Sequence, residues 1–129
     1  MGKLNTLSIK LTGRIPSKKN SKIIVCRGAY PILLPSKNYS AWHEEQSWEL
    51  KKYRILIKKP IADCSLVEIK FYAPDMRDAD LSNKVESIMD LLVDNDIIKD
   101  DNWFVCESLF VSLAGVDRNN PRAEIKIHY

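Results

Sequence analysis

The sequence predicts a single-domain α+β fold, a mixed β-sheet packed with two main helices, and three observations support this. Leu7, Ile9 and Leu11 alternate with Ser8, Lys10 and Thr12, and Val67, Ile69 and Phe71 alternate with Glu68, Lys70 and Tyr72, as in half-buried strands. Leu81, Val85, Ile88 and Leu92 recur at the spacing of one buried helical stripe. The strands lie before, between and after the helices without strict β-α-β alternation. With 129 residues the chain is read as one domain, 1–129, long enough to bury roughly two thirds of its unfolded surface without metals or disulfides as staples.

In chain order, Leu4 to Thr12 reads as a strand, followed by the basic loop Gly-Arg-Ile-Pro-Ser-Lys-Lys-Asn-Ser-Lys. Ile23 to Cys26 and Ile32 to Leu34 flank Arg-Gly-Ala-Tyr, a hairpin pattern. Ser36 suits the cap of a helix over Lys37 to Ile55 that carries Tyr39, Trp42, Trp48, Leu50 and Tyr53. These spread over more than one face, so the helix serves the core, a partner, or both; Pro60 closes it. Cys64 to Ala73 is the second strong strand, ended by Pro74. The helix beginning near Leu81 places Asn83, Glu86, Asp90 and Asp94 away from its apolar stripe, and Asn95-Asp96 breaks it. After the connector Ile97 to Asp101, Phe104 to Leu113 and Arg122 to Tyr129 read as two strands expected to pair antiparallel.

Composition removes several function classes. No uncharged run exceeds nine residues, whereas a membrane helix needs about 20. The N-terminal Met-Gly-Lys-Leu-Asn-Thr-Leu lacks the apolar core of a secretory signal, so a cytoplasmic protein is expected. Cys26, Cys64 and Cys106 are odd in number and form no C-x-x-C pair, which points to free thiols in a reducing compartment. His43 and His128 are too far apart in sequence to suggest zinc. None of the four glycines sits in a phosphate-cradling pattern, so no nucleotide cofactor is expected.

The net charge of +3 hides a division: residues 1–60 hold 13 Lys/Arg against 3 Glu, and residues 61–129 hold 7 Lys/Arg against 14 Asp/Glu. Such asymmetry fits nucleic-acid contact, and it fits two solvated faces equally well. In the acidic half, Asp75, Asp78, Asp80, Asp100 and Asp101 flank the second helix. If the connector folds back so that they meet, their repulsion calls for a hard cation such as Mg²⁺ or Mn²⁺. Lys84, one turn into the helix, suits a neutralising or phosphate-holding role. The simpler reading makes Asp80 or Ser82 a helix N-cap and Asp100-Asp101-Asn102 a solvated turn. Spacing alone leaves both readings open.

The runs Arg77-Asp78-Ala79-Asp80-Leu81-Ser82-Asn83-Lys84, Met89-Asp90-Leu91-Leu92 and Ile98-Lys99-Asp100-Asp101-Asn102 together resemble the RusA family of Holliday junction resolvases. That family carries a D-x-D-N segment opening a helix, a lysine soon after, an Asp-Leu pair within the helix and an Asp-Asp pair beyond it. Ile15-Pro16-Ser17-Lys18-Lys19-Asn20 resembles the family's Pro-Ser-x-Asn loop. Two registers compete. Alignment backwards from Asp100-Asp101 puts Asp80, Ser82 and Glu86 on the family's two acidic positions and its lysine. Alignment on the motif itself puts Asp78, Asp80 and Lys84 there, and is preferred because serine carries no charge for a metal and Glu86 cannot stabilise a phosphate.

The resemblance implies a RusA-like endonuclease domain, a homodimer that resolves four-way DNA junctions by paired Mg²⁺-dependent nicks, with Mn²⁺ as a possible substitute. It implies Asp78, Asp80, Lys84 and Asp101 as the catalytic set, and Asp78, Asp80, Asp101 and Asp100 as the metal-side carboxylates. Arg14, Lys18, Lys19, Asn20, Lys22 and Arg27 are the expected DNA contacts, and Trp42 and Trp48 belong to core or interface before any base-stacking role. The alternatives are a non-catalytic DNA-binding protein of the same fold, which the Ser82 register allows, and a related metal nuclease acting on flaps or duplex DNA.

Overall fold

The computed structural model describes residues 5–17, 22–28, 30–35 and 37–129, with backbone only for 22–27 and 30–35. The expected cap at Ser36, the strand start at Leu4 and the contacts Lys18, Lys19 and Asn20 lie outside the described residues. Among the described residues six strands and two helices follow in order: β1 (Thr6–Thr12), β2 (Lys22–Arg27), β3 (Tyr30–Pro35), α1 (Lys37–Ile57), β4 (Leu66–Ala73), α2 (Leu81–Asp94), β5 (Leu109–Val116) and β6 (Arg122–His128). β2 and β3 form an antiparallel hairpin; the other four strands make one mixed sheet, ordered β1-β6-β4-β5. The fold is thus α+β, with one four-stranded mixed sheet and two helices.

Strand pairing carries the apolar alternation across the sheet in three rows. Leu7, Ile127, Val67 and Leu109 face one another in sequence, as do Ile9, Ile125, Ile69 and Val111, and Leu11, Ala123, Phe71 and Leu113. In β1, β6 and β4 every one of these residues is buried. They share one core with Tyr39, Trp42 and Leu50 of α1 and with Val85, Ile88, Met89, Leu91 and Leu92 of α2. The opposite face is polar. Glu68 pairs with Lys126, Glu124 lies between Lys10 and Lys70, and Arg122 stacks 3.6 Å over the Tyr72 ring. A one-residue slip would exchange the two faces, so this pattern holds the register.

Two expectations change. The last two strands do not pair with each other: β5 pairs parallel with β4, while β6 inserts antiparallel between β1 and β4. Periodicity identifies strands and faces but carries no partner information. The late strand also starts at Leu109, because Trp103 to Val105 form a turn in which the Asn102 side chain accepts from the Phe104 and Val105 amides. β5 is an edge strand whose Leu109 and Leu113 remain 49% and 61% exposed.

α1 buries Tyr39, Trp42, Gln46 and Leu50 on one stripe. Trp48 is exposed, under the Lys51 ammonium. α2 begins at Asp80, whose carboxylate accepts from the Ser82 amide in N-cap geometry, and stops at Asn95, after which Asp96 takes φ 57°. His43 of α1 meets Asp94 of α2 at 2.9 Å, and the Asn95 amide donates to Ser47, which fastens the two helices together. The connector does fold back: Ile97 and Ile98 are fully buried, and Ile98 pairs with Ile61 as Cys106 pairs with Cys64.

Ile69 is fully buried at the centre of the middle row. Ile69→Ala is expected to cost about 3–4 kcal/mol. Urea unfolding followed by circular dichroism checks this through the midpoint at unchanged slope.

Candidate functional site

A cleft of about 400 Å³ opens at the C-terminal end of β4, and Arg14, Asp75, Arg77, Asp78, Lys84 and Arg122 supply its charged lining. Three chain segments build it. Gly13, at φ 88°, turns the chain out of β1 and donates to the Pro121 carbonyl; a side chain at that backbone angle would be strained. The chain then buries Ile15 and lies along α2. There the Ser87 hydroxyl donates to the Pro16 carbonyl at 2.7 Å and the Lys84 ammonium donates to the Ile15 carbonyl. Asn83, expected on the solvated side of the helix, is buried together with Ser87. The polar stripe Asn83-Lys84-Ser87 therefore receives the segment after β1, which is invisible in helical periodicity taken alone.

Asp75 organises the mouth of the cleft. Its Oδ2 accepts from Arg14 Nη2 at 2.6 Å and from Arg77 Nη2 and Nε at 2.8 and 3.0 Å, and its Oδ1 accepts from the Arg77 amide. The Arg77 guanidinium and amide, with the nearby Arg14 charge, hold the Asp75 carboxyl well below the usual carboxylate range; the same contact raises Arg77. Lys84 is half-buried. Burial pushes its ammonium below the ordinary lysine value, Arg14 adds to this, and Asp75 offsets part of it. A partly desolvated cation beside a second cation gains much from an incoming anion, which restores the solvation it lost.

Asp78 lines the same cleft and is exposed; it has no hydrogen bond or ion pair among the described residues. Asp80 faces a neighbouring apolar depression with Leu81, Ser82, Val85, Leu109 and Val111. Its carboxylate accepts from the Ser82 amide (3.1 Å), the Ser82 hydroxyl (2.8 Å) and the Asn83 amide group (3.1 Å). Ser82 is thus a partner of Asp80, and Glu86 is exposed, whereas Lys84 and Asp78 share one cleft.

Asp100 and Asp101 are placed elsewhere. The β4–α2–β5 crossover returns the chain to the beginning of β4, where Lys99 bonds back to Ile61 and Glu107 to Cys64. α2 has fourteen residues, a rise of roughly 20 Å along its axis, and Asp101 comes within electrostatic reach of Asp90 on it. Burial, the Asp100 hydrogen bond and charge, and then Asp90, raise Asp101; Asp100 is lowered by the Asp101 amide and side chain. Among the described residues no three His, Cys, Asp or Glu side chains form a metal-holding group, so the four carboxylates named by the resemblance are not gathered into one. As donors, Asp78 and Asp80 suit a hard divalent cation; Asp101 does not join them here.

Of the remaining expected DNA contacts, Arg14 lines the cleft. Lys22 and Arg27 stand at the two ends of β2, opposite Pro35 and Tyr30. Asp75, read from the sequence as one of five carboxylates around the second helix, is instead the ion-pair partner of Arg14 and Arg77. Arg77 and Arg122 are cleft residues not chosen from the sequence; Asp75-x-Arg77 is a local turn pattern that signals the first, whereas Arg122 reaches the cleft only through the β6–β4 pairing. Among the described residues no helix is long and apolar enough to cross a membrane. No family model and no curated protein matches the chain.

Two outcomes test the cleft. Because Asp75 titrates lower in the folded chain than its ordinary 3.8, the stability it contributes is complete above pH about 4 and lost as acid protonates it. Asp75→Asn therefore flattens the acid limb of a Tm–pH profile below pH about 4 relative to wild type. For Lys84, the folded chain disfavours the charged form, so Lys84→Met leaves Tm at neutral pH unchanged or higher. Thermal melts across pH read the two effects.

Proposed function

We propose that the chain is a RusA-like, metal-dependent nuclease that holds a phosphodiester of branched DNA in this cleft and resolves four-way junctions as a homodimer. The observation carrying this reading is the half-buried Lys84 ammonium, desolvated beside Arg14 and sharing its cleft with Asp78, a carboxylate with no partner among the described residues. Together with the motif resemblance, this supports Asp78 and Asp80 as the residues that would hold Mg²⁺ or Mn²⁺. When bound, such a cation supplies Lewis-acid polarisation of the phosphate and a more acidic water.

The chain's own residues do the remaining work in this reading. Lys84, held against the Ile15 carbonyl, presents its other N–H groups to non-bridging phosphate oxygens and stabilises the charge that grows there. Arg14 and Arg77, kept close together by Asp75, clamp the neighbouring phosphates and fix register without reading sequence. The apolar walls of the cleft limit water around these charges, which strengthens each contact. Two copies related by a two-fold axis would offer two equivalent clefts to the symmetric strands of a junction.

One observation favours a second reading, a junction-binding protein that does not cut: Asp101 stands beside Asp90 and Asp100, away from Asp78 and Asp80. A panel of synthetic four-way junction, flap and plain duplex, with and without Mg²⁺ or Mn²⁺, separates the two. The nuclease reading expects paired nicks in the junction only with metal. Asp80→Asn is expected to reduce the cleavage rate at least 100-fold while the helix keeps its cap, since asparagine caps as well as aspartate. Salt-sensitive binding with no nicks under either metal would overturn the nuclease in favour of the binding protein. Cleavage of flaps or duplex as fast as junctions would assign it to a different substrate class.

A further inference from the structure

Away from the cleft, two thiols meet at the base of the crossover. Cys64 precedes β4 and Cys106 precedes β5; they are bridge partners 42 positions apart, with their Sγ atoms 3.0 Å from each other. Parallel backbone hydrogen bonds on both sides, Cys64 amide to Val105 carbonyl and Glu107 amide to Cys64 carbonyl, hold the two backbones at this approach. Adjacent partners in a β-ladder lie about 5 Å apart at Cα, inside the range a disulfide spans. Cys64 is fully buried and Cys106 is partly exposed, so one thiol of the pair is reachable from solvent and the other is reachable only through it. Both are free thiols in this structure.

We propose that Cys64 and Cys106 form a reversible disulfide, an oxidative modification site that takes a low-molecular-weight disulfide as oxidant. Contact with Cys64 and burial keep the partly exposed Cys106 protonated, so its proton passes to the departing small thiolate as its sulfur attacks one sulfur of the oxidant, forming a mixed disulfide and releasing one small thiol. Cys64 then attacks the Cys106 sulfur, closing the protein disulfide and releasing the second small thiol. The two protein thiols lose two electrons, the small disulfide gains them, and the two thiol protons leave on the released thiols. The new bond closes a loop that contains β4, α2 and all of Asp75, Asp78, Asp80, Lys84, Asp100 and Asp101. Oxidation therefore clasps the unit that carries the cleft at its far end, without entering the cleft. This inference rests on the β4–α2–β5 geometry alone and stands whether or not the chain is a nuclease.

The test incubates the native chain with oxidised glutathione and maps an unreduced proteolytic digest by mass spectrometry. The expected product is a peptide pair linked Cys64–Cys106, with loss of two hydrogens from the intact chain and full reversal by dithiothreitol. Closing a loop of this length is expected to raise Tm by about 5 °C or more, lost on reduction. The Cys106→Ser chain, altered only at the partly exposed position, is expected to show neither the link nor the rise. Bridges through Cys26, glutathione left on Cys106 with Cys64 still free, or no oxidation at all would each overturn the proposal.

Discussion

The parallel pairing of β5 with β4 constrains most of what surrounds it. A parallel neighbour can be reached only by carrying the chain back the full length of the strand, and α2 makes that return. The N-terminus of α2 must then stand at the C-terminal end of β4, where the cleft opens. Everything between α2 and β5 must stand at the other end, where Ile98 meets Ile61 and Cys106 meets Cys64. One pairing decision thus separates Asp78 and Asp80 from Asp100 and Asp101, and brings two distant cysteines into contact.

α2 is packed on two sides by different chemistry. Its apolar residues close the sheet core, and its Asn83-Lys84-Ser87 stripe supports the segment after β1 through bonds to the Ile15 and Pro16 carbonyls. Keeping an ammonium half-buried there opposes stability, while carboxylate–guanidinium contacts at Asp75 stabilise the charges nearest to it. The cleft therefore keeps positive charge that is only partly neutralised from within. The two charged halves of the sequence meet at the cleft, where Arg14 of the basic half is paired with Asp75 of the acidic half across 61 positions.

Much of the fold is legible in the amino-acid sequence. The alternation in β1 and β4, the α2 stripe and the stop at Asn95-Asp96 are local signals, and each corresponds to an element. The hairpin around Gly28 is legible for the same reason. Strand partners are not, because β5 and β6 are each compatible with several neighbours and adjacency in sequence suggests the wrong one. For the cleft, Asp78 and Lys84 stand out in the sequence through the motif resemblance at the start of α2, and both line it. Arg122 does not stand out, since it arrives from a strand that follows the cleft's other charged residues by more than thirty positions.

The sequence by itself determined which segments are strands or helices, which faces are apolar, and that carboxylates and a lysine cluster where α2 begins. These follow from side-chain period and capping chemistry, which act over a few residues. Tertiary structure alone decided that α2 is covered on its polar side, that Asp100 and Asp101 stand apart from Asp78 and Asp80, and that Cys64 lies against Cys106. Each of those depends on the order of strands in the sheet. That order is set by which arrangement buries the three apolar rows together, and no local pattern records it.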